Sequence, residues 1–526
     1  MRIEFPEHFN MADYFLYRNL EEGRENKECL YFEDQSFTYG ETARMSNRAG
    51  NALRELGVEI EDRILIALPD CPEFVWTWFG AARIGAVISM VNPLLPLTAY
   101  QYYLEYTRAR VAIIDHSLLQ TFSAAAETAR YLRAIIVVGK EFTGGNLVPH
   151  SRARWSDFSA LVSSCSNECL QADTHRDDIA IWLFTSGSTG QPKAAVHLQH
   201  DLPFNTEVYA KNTLGVTEDD LTVSVPKLFF GYATGTNLLF PFAVGGATAL
   251  FAERSTPERL FEVIARYRPT ILTTIPTMIN AMVNAPKSVI HALSSLRFCY
   301  SAGEALPVEL WERWMELFGI EIYDGIGSAE MFHIYITNRP RDVKPGSLGR
   351  VVEGYEAQIV NTAGEEVPVG EMGTLTIKGD SAALCYWNAH QKSKETFAGD
   401  WCTTGDQVHV DADGYFWYHG RTDDMLKVSG IFVAPAEIEN CLLQHEAILE
   451  CAVVGQNDGV GLVKPKAFIV LKEGYSAGTE LSEEIKAFVK SHLALHKYPR
   501  WVEFVLSLPK NDRGKIDRKR LRQINS

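Results

Sequence analysis

Short apolar runs alternate with longer amphipathic stretches over the first 400 or so residues, and no other feature restricts the possible folds as strongly. "RILIAL" (Arg63 to Leu68), "VAIID" (Val111 to Asp115) and "AIIVVG" (Ala134 to Gly139) read as strands buried on both faces. So do "AIWLFT" (Ala180 to Thr185), "TALFA" (Thr248 to Ala252) and "TILTTI" (Thr270 to Ile275). Between them lie helical stretches such as "TPERLFEVIARY", where Thr256 is placed to cap and Pro257 to fill the first turn. Strands alternating with helices predict α/β layers with mostly parallel sheets. In such sheets ligands bind beyond the carboxyl ends of the strands.

"AIWLFT" runs straight into "TSGSTGQPK", Thr185 to Lys193. Gly187 and Gly190 lack a Cβ, so their backbone can approach a ligand closely. Successive N–H groups in such a turn make a concavity for an anion. Thr185, Ser186, Ser188 and Thr189 add rotatable donors, and Lys193 adds a charge. A phosphate fits this set better than a neutral ligand does. The spacing is not that of a Walker A loop, which needs G-x-x-x-x-G-K-[ST].

From about Glu353 the texture changes to strand and turn, as in "YEAQIVNTAGEEVPVGEMGTLTIKG". An expected hairpin turn at Asp413-Gly414 leads to a polar joint, "GRTDD". Beyond the joint a compact α+β piece is predicted, with a helix near Pro435 to Leu443, strands "ECAVVG" and "KAFIVL", and a helix near Glu480 to Ser491. The division expected is a core over residues 1–422, with a β-rich subdomain from about 350 to 422, and a smaller domain over 423–526. The fold class is thus α/β: a large N-terminal domain of several subdomains, followed by a small α+β C-terminal domain.

The chain has 526 residues, 46% of them hydrophobic and 22% charged, as in soluble globular proteins. A net charge of −16 argues against nucleic acid or an anionic membrane as partner, although "RGKIDRKRLR" (Arg513 to Arg522) is locally basic. "MRIEFPEHFNMADYF" lacks the basic-then-apolar order of a signal peptide. "FVWTWFGAARIGAVISMV", interrupted by Arg83, is read as a buried helix followed by a buried strand rather than a membrane span. Nine scattered cysteines without a C-x-x-C pair predict reduced thiols, no zinc framework and a cytoplasmic location.

Further motifs matter in combination. "YSAGEALP" (Tyr300 to Pro307) and "YDGIGSAEMFH" (Tyr323 to His333) each end a predicted strand in small residues and then present Glu304 or Glu330. "TTGD" offers Asp406, "GRTDDMLKVSG" offers Arg421 and Lys427, and "PKNDRGKIDRKRL" offers Lys515. Singly, each would pass for a turn or a solvated side chain. In this order they resemble the adenylate-forming superfamily of acyl-CoA synthetases, peptide-synthetase adenylation domains and luciferases, over essentially the whole chain. "KLFFGYATGTNLLFP", "SAGEALP", "DGIGSAEMFHIYITNRP" and "GRTDDMLKVSGIFVAPAEIE" look most like benzoate-type aryl-CoA ligases, which act on benzoate, hydroxybenzoates or 2-aminobenzoate.

The resemblance implies two half-reactions: an aromatic acid and ATP give an acyl-adenylate and pyrophosphate, then the CoA thiol displaces AMP. It implies that Thr185 to Gly190 and Lys193 hold the β- and γ-phosphates, and that Glu330 holds Mg²⁺. Asp406 would accept both ribose hydroxyls, and Arg421 would contact ribose or phosphate. Gly303, Glu304 and Ala305 would flank adenine, with Asp324 and Gly325 nearby. Lys515 would be the adenylation lysine, placed between the carboxylate and the α-phosphate. Asp423 would be the hinge about which the mobile C-terminal domain turns between half-reactions. That rotation would bring Lys427 and Gly430 to the thiol, Gly430 leaving room for pantetheine. Phe229, Tyr232, Ala302, Gly303, Ile326, Gly327, His333 and Ile334 would line a flat aromatic slot gated by Phe230. The chain departs from the family pattern at Ala329, where a Thr is usual, and at Ala194, where a Gly is usual. The alternative thiol acceptor is a carrier protein loaded by a free-standing adenylation enzyme.

Overall fold

The computed structural model describes residues 3–140, 142, 153–186, 191–285, 293–428, 431–458, 463–510 and 516–524. Two large sheets dominate. In the first, six parallel strands stand in the order Ile179–Ser186, Val87–Met90, Arg63–Ala67, Val111–Asp115, Ala134–Val138 and Arg154–Asp157. Pro192–Leu198 and Cys385–Tyr386 add antiparallel at the Ile179–Ser186 edge. The second sheet has nine strands, parallel from Glu321–Gly327 through Phe298–Ala302, Ile271–Thr274, Leu221–Ser224 and Ala247–Leu250 to Glu28–Phe32.

The expected strands all form, within three residues at each end. Thr256 caps the helix Pro257–Tyr267 through its side chain, which accepts from the Arg259 N–H, a cap worth about 1 kcal/mol. The membrane-like stretch is a buried helix, Pro72–Arg83, and a buried strand, Val87–Met90. That helix packs on Tyr39–Glu55 through facing glycines: a Cβ on Gly80 would stand 2.5 Å from the Ser46 carbonyl oxygen. Among the described residues no helix is long and apolar enough to cross a membrane.

Pro192–Leu198 was not expected to be a strand. Its composition is poor in β-branched residues, and its extended form follows from pairing on both sides. After residue 353 the texture change marks an antiparallel sheet built on Glu356–Val360, Gly373–Lys378, Trp401–Val410 and Phe416–Arg421. Gly414, at φ +84°, turns the last pair. The C-terminal part carries the helices Pro435–Leu443 and Thr479–His492 on a sheet of Ile448–Asn457, Val463–Leu471 and Trp501–Phe504. It has its own apolar core around Val433, Ile438, Leu442, Val453 and Ile469.

Candidate active site

The phosphate-loop motif spans a hairpin at the carboxyl end of the first sheet. Thr185 is in register with Lys193, and Ser186 with Pro192. Residues 187–190, which include Gly187, Ser188, Thr189 and Gly190, lie outside the described residues, as does the Ser186 side chain. The far side of the hairpin is fixed by the Tyr102 hydroxyl, which donates to the Pro192 carbonyl at 2.6 Å. Lys193 Nζ lies 4.3 Å from the centre of the Tyr386 ring. Tyr386 reaches it because Cys385–Tyr386 pairs with Ala195 and Val196. Burial lowers the Lys193 pKa, Lys392 adds to that, and Glu330 opposes both. The lysine therefore sits in a partly desolvated position suited to an incoming anion.

Glu330 is bound to the same assembly. Tyr386 Oη donates to Glu330 Oε1 at 2.5 Å, and the Ala383 N–H donates to the Glu330 carbonyl at 2.7 Å. The turn Ala329–Met331 that carries Glu330 leads into Phe332 at φ +65°, ψ −56°. Such a conformation costs a bulky residue about 1–3 kcal/mol. It reverses the chain, so that Ile334–Thr337 returns antiparallel to Glu321–Gly327. Gly327 is required at this reversal, because a Cβ there would lie 2.5 Å from the His333 carbonyl oxygen.

His197, on the lysine strand, ties the hairpin to this turn. Its Nδ1 is 2.7 Å from Asp201 Oδ2, and its Nε2 is 2.6 Å from the Ala329 carbonyl oxygen. Both side chains are buried, at 0% and 1% exposure. Asp201 Oδ2 also accepts from the Leu198 N–H at 3.1 Å. Each ring nitrogen faces an oxygen atom. The sequence signal was the H-x-x-x-D spacing in "VHLQHD", which reasoning from motifs passed over.

Asp406 and Arg421 face each other across the antiparallel pair Trp401–Val410 and Phe416–Arg421. Arg421 Nη1 donates to Asp406 Oδ1 at 3.1 Å and to the Thr404 carbonyl at 2.7 Å. Burial raises the Asp406 pKa, and the Arg421 charge pulls it back. Arg421 and Glu330 each act electrostatically on Lys193, and Glu330 acts on both Asp406 and Arg421. Two cations and two carboxylates from four separate elements thus share one neighbourhood.

Beside it lies the aromatic set. Phe229 and Phe230 have ring centres 4.4 Å apart, and those of Tyr232 and His333 are 5.2 Å apart. His333 Nε2–H donates to the Tyr232 carbonyl at 3.0 Å, leaving Nδ1 as the acceptor. His333 Nδ1 and the Tyr232 hydroxyl are buried without a hydrogen-bond partner among the described residues. Burial pushes the His333 pKa down to about 4, so its ring is neutral at pH 7. Ala302 is in register with Gly325, and Gly327 with Ile334, which gathers these residues at the ends of two neighbouring strands and their return. Ile326, on the same strand as Gly325, is packed against the adjoining core.

Gly303 takes φ +92° directly after its strand. The Glu304 carboxylate accepts from Thr277 Oγ1 at 2.7 Å through one oxygen, and its other oxygen is buried without a hydrogen-bond partner among the described residues. Its side chain is held at the start of the helix Pro276–Val283. Ala305 follows it in the same turn region. Asp324 is buried, and burial pushes its carboxyl up to about 8. Its electrostatic neighbours are Tyr209 and Tyr232, which puts the carboxyl on the aromatic side.

Asp423 lies in the turn Thr422–Asp424, directly after Arg421. The C-terminal helix Arg518–Gln523 packs back on this joint, with Arg522 paired to Asp424 and Arg518 bonded to both Glu439 oxygens at 2.8 and 2.7 Å. Lys427 lies on the strand Leu426–Val428, but its side chain is outside the description. Gly430 and Lys515 also lie outside the described residues.

Among the described residues no group of three or more His, Cys, Asp or Glu side chains could enclose a metal ion. A single carboxylate such as Glu330 suits Mg²⁺ that arrives with the nucleotide, since that ion keeps water and phosphate as most of its ligands.

Comparison with known proteins bears on the whole assembly. The AMP-binding enzyme family matches residues 17–387, and the AMP-binding enzyme C-terminal domain matches residues 437–515. A benzoate–CoA ligase of Thauera aromatica is 44% identical, covering 99% of this chain and 97% of its own. The structure of an anthranilate CoA ligase in complex with anthranoyl-AMP superposes with a TM-score of 0.93 at 40% identity, covering 99% of this chain and 98% of that one. A benzoate CoA ligase from Burkholderia xenovorans LB400 superposes with a TM-score of 0.90 at 42% identity, covering 98% of this chain and all of that one. The hairpin lysine, the Glu330 turn and the Asp406–Arg421 pair are therefore parts of an adenylate-forming fold, and the chain belongs to the AMP-binding enzyme family.

Proposed function

We propose that this protein is an AMP-forming ligase that joins benzoate or a substituted benzoate to CoA at the expense of ATP. The observation that carries the proposal is the convergence of Lys193, Glu330, Asp406 and Arg421 beside the aromatic set of Phe229, Phe230, Tyr232 and His333. The similarity to benzoate and anthranilate CoA ligases supports the substrate class.

A free carboxylate resists attack by a thiol, because its leaving group would be oxide. In the first half-reaction a carboxylate oxygen attacks the α-phosphorus of ATP, a new C–O–P linkage forms, and pyrophosphate leaves with the bonding pair. In the second, the CoA sulfur attacks the acyl carbon, the thiol gives up its proton, and AMP leaves carrying one oxygen of the original acid. Both steps build negative charge on oxygen, which fixed cations and N–H donors stabilise. Lys193 and the hairpin loop are assigned to the β- and γ-phosphates and then to pyrophosphate. Mg²⁺ bound beside Glu330 would neutralise phosphate charge. Asp406 is assigned to the ribose hydroxyls, with Arg421 orienting its carboxylate. Lys515 is assigned to the carboxylate and α-phosphate.

The joint at Thr422–Asp424 separates a core of residues 1–422 from a mobile unit of 423–526, which would exchange Lys515 for the Lys427–Gly430 loop between steps. Such alternation by a small domain about a short hinge is an established mode of motion. Dependence on ATP and CoA, together with nine cysteines all free of disulfides, supports a cytoplasmic place of action.

Pyrophosphate release with MgATP and a panel of benzoate, 2-aminobenzoate, hydroxybenzoates, cinnamate and a fatty acid tests the proposal. An aryl-selective signal, with thioester formed only when CoA is present, is expected. Aryl-dependent pyrophosphate without any CoA product would instead indicate loading of a carrier-protein thiol. Silence with every aryl acid would overturn the assignment.

A further inference from the structure

The amino edge of the first sheet carries a cluster of arginines that the ligase chemistry does not use. Arg63, Arg110 and Arg133 each stand one residue before the registered row Ile64, Val111 and Ala134 on three adjacent parallel strands. Backbone bonds confirm the row: the Arg110 N–H donates to the Arg63 carbonyl, and the Arg133 N–H to the Arg110 carbonyl, both at 2.8 Å. In-register residues on neighbouring strands lie about 4.8 Å apart and point to one face. Arg108 and Arg130 join them from the connections before two of these strands. Arg108 is held outward by a left-handed conformation, φ +54°, at the end of the helix Leu97–Thr107.

Together with Asp62 and Tyr131 these five arginines line an open cavity of about 460 Å³. Two of them are already compensated: Arg110 pairs with Asp62 at 3.0 Å, and Arg130 with Glu105 at 2.7 Å. Arg108 and Arg133 make no ion pair with a carboxylate among the described residues, and Arg63 shares the Asp62 charge with Arg110. Arg63 donates to the Thr107 and Glu61 carbonyls and is half-buried; the charges of Asp62 and Glu61 favour its charged form, and those of Arg108 and Arg110 oppose it. Arg108 lies 5.8 Å from the Tyr131 ring centre, and Tyr131 is exposed at the rim. Guanidiniums facing one volume repel each other, and an anion that enters offsets that repulsion. On a chain of net charge −16 this is a strong local reversal of sign.

The cavity is separate from the catalytic edge. Ala180, Val87 and Arg63 share a row by the register of their strands, and Thr185 lies five residues further along, about 16 Å away at 3.3 Å per residue. We propose that this cavity is a second anion site, which binds a small ligand carrying two or three phosphate groups through Arg63, Arg108 and Arg133. Its size suits a small molecule rather than a polymer. Guanidinium forks facing one way match phosphate oxygens in pairs.

Calorimetric titration of the full chain with inorganic tripolyphosphate tests the site. Wild type should bind with an affinity that falls as salt rises. Binding should weaken at least tenfold in R108S/R133S and persist in K193M, where the phosphate hairpin is impaired. R133E, a single reversal at an exposed position, should show the same loss and guards against a folding defect in the double variant. Identical isotherms in wild type and both arginine variants, or complete loss of binding in K193M alone, would overturn the proposal.

Discussion

In His197→Leu, Asp201 loses its 2.7 Å partner and keeps only the Leu198 N–H and a 3.4 Å approach from His200. The carboxylate is 1% exposed, so water cannot replace what is lost. Removing one partner of such a buried pair costs about 3–5 kcal/mol, because a charge is left uncompensated. Asp201→Leu should cost a similar amount. In the double variant no charge is stranded, and the remaining deficit comes from the Leu198 N–H and the Ala329 carbonyl, at about 1–3 kcal/mol each. The two single losses would sum to about 6–10 kcal/mol, whereas the double variant should lose about 2–6, a coupling of about 4 kcal/mol between the midpoints. Urea unfolding followed by tryptophan fluorescence reads this, since Trp182 is in register with Val196, next to His197. Losses that add to within about 0.5 kcal/mol would refute the view that the two side chains act as one buried pair. The Glu330 turn hangs from the same histidine, so the double variant should also raise the KM for MgATP more than that for the acid.

Three further outcomes are expected. Lys193→Met should lower the rate of pyrophosphate release about 10²–10³-fold in single-turnover assays, as loss of one charge-assisted stabiliser does. Burial holds the Asp324 carboxyl protonated up to about pH 8, while the unfolded chain ionises near 4, so wild type loses stability as pH rises through that window. Asp324→Asn has no such loss, and its stability relative to wild type in denaturant titrations should rise from pH 5 to pH 8. Asp423→Pro, which fixes φ at the joint, should slow thioester formation more than adenylate formation in stopped assays of each half-reaction.

Much of the fold was legible because its strands are buried on both faces and read as unbroken apolar runs, as in Val111–Asp115 and Ala134–Val138. The caps were legible for a local reason: Thr256 and Pro257 decide their helix end without help from distant residues. The site was legible where motif residues stand at strand ends, as with Thr185, Lys193, Asp406 and Arg421. It was not legible where distant pairing decides. Pro192–Leu198 became a strand only through its neighbours on both sides. Tyr386 belongs to no motif, yet lies between Lys193 and Glu330 once its short strand pairs with Ala195. The bond from Thr277 to one Glu304 oxygen, 27 residues away in the chain, could not be read from "SAGEALP".

The route through an aryl-adenylate is tested most directly by oxygen transfer. Benzoate labelled with ¹⁸O in both carboxylate positions, incubated with the enzyme, MgATP and CoA, should give AMP carrying one labelled oxygen and a thioester retaining the other. Unlabelled AMP, with the second label found in inorganic phosphate or pyrophosphate, would contradict attack of the carboxylate on the α-phosphorus.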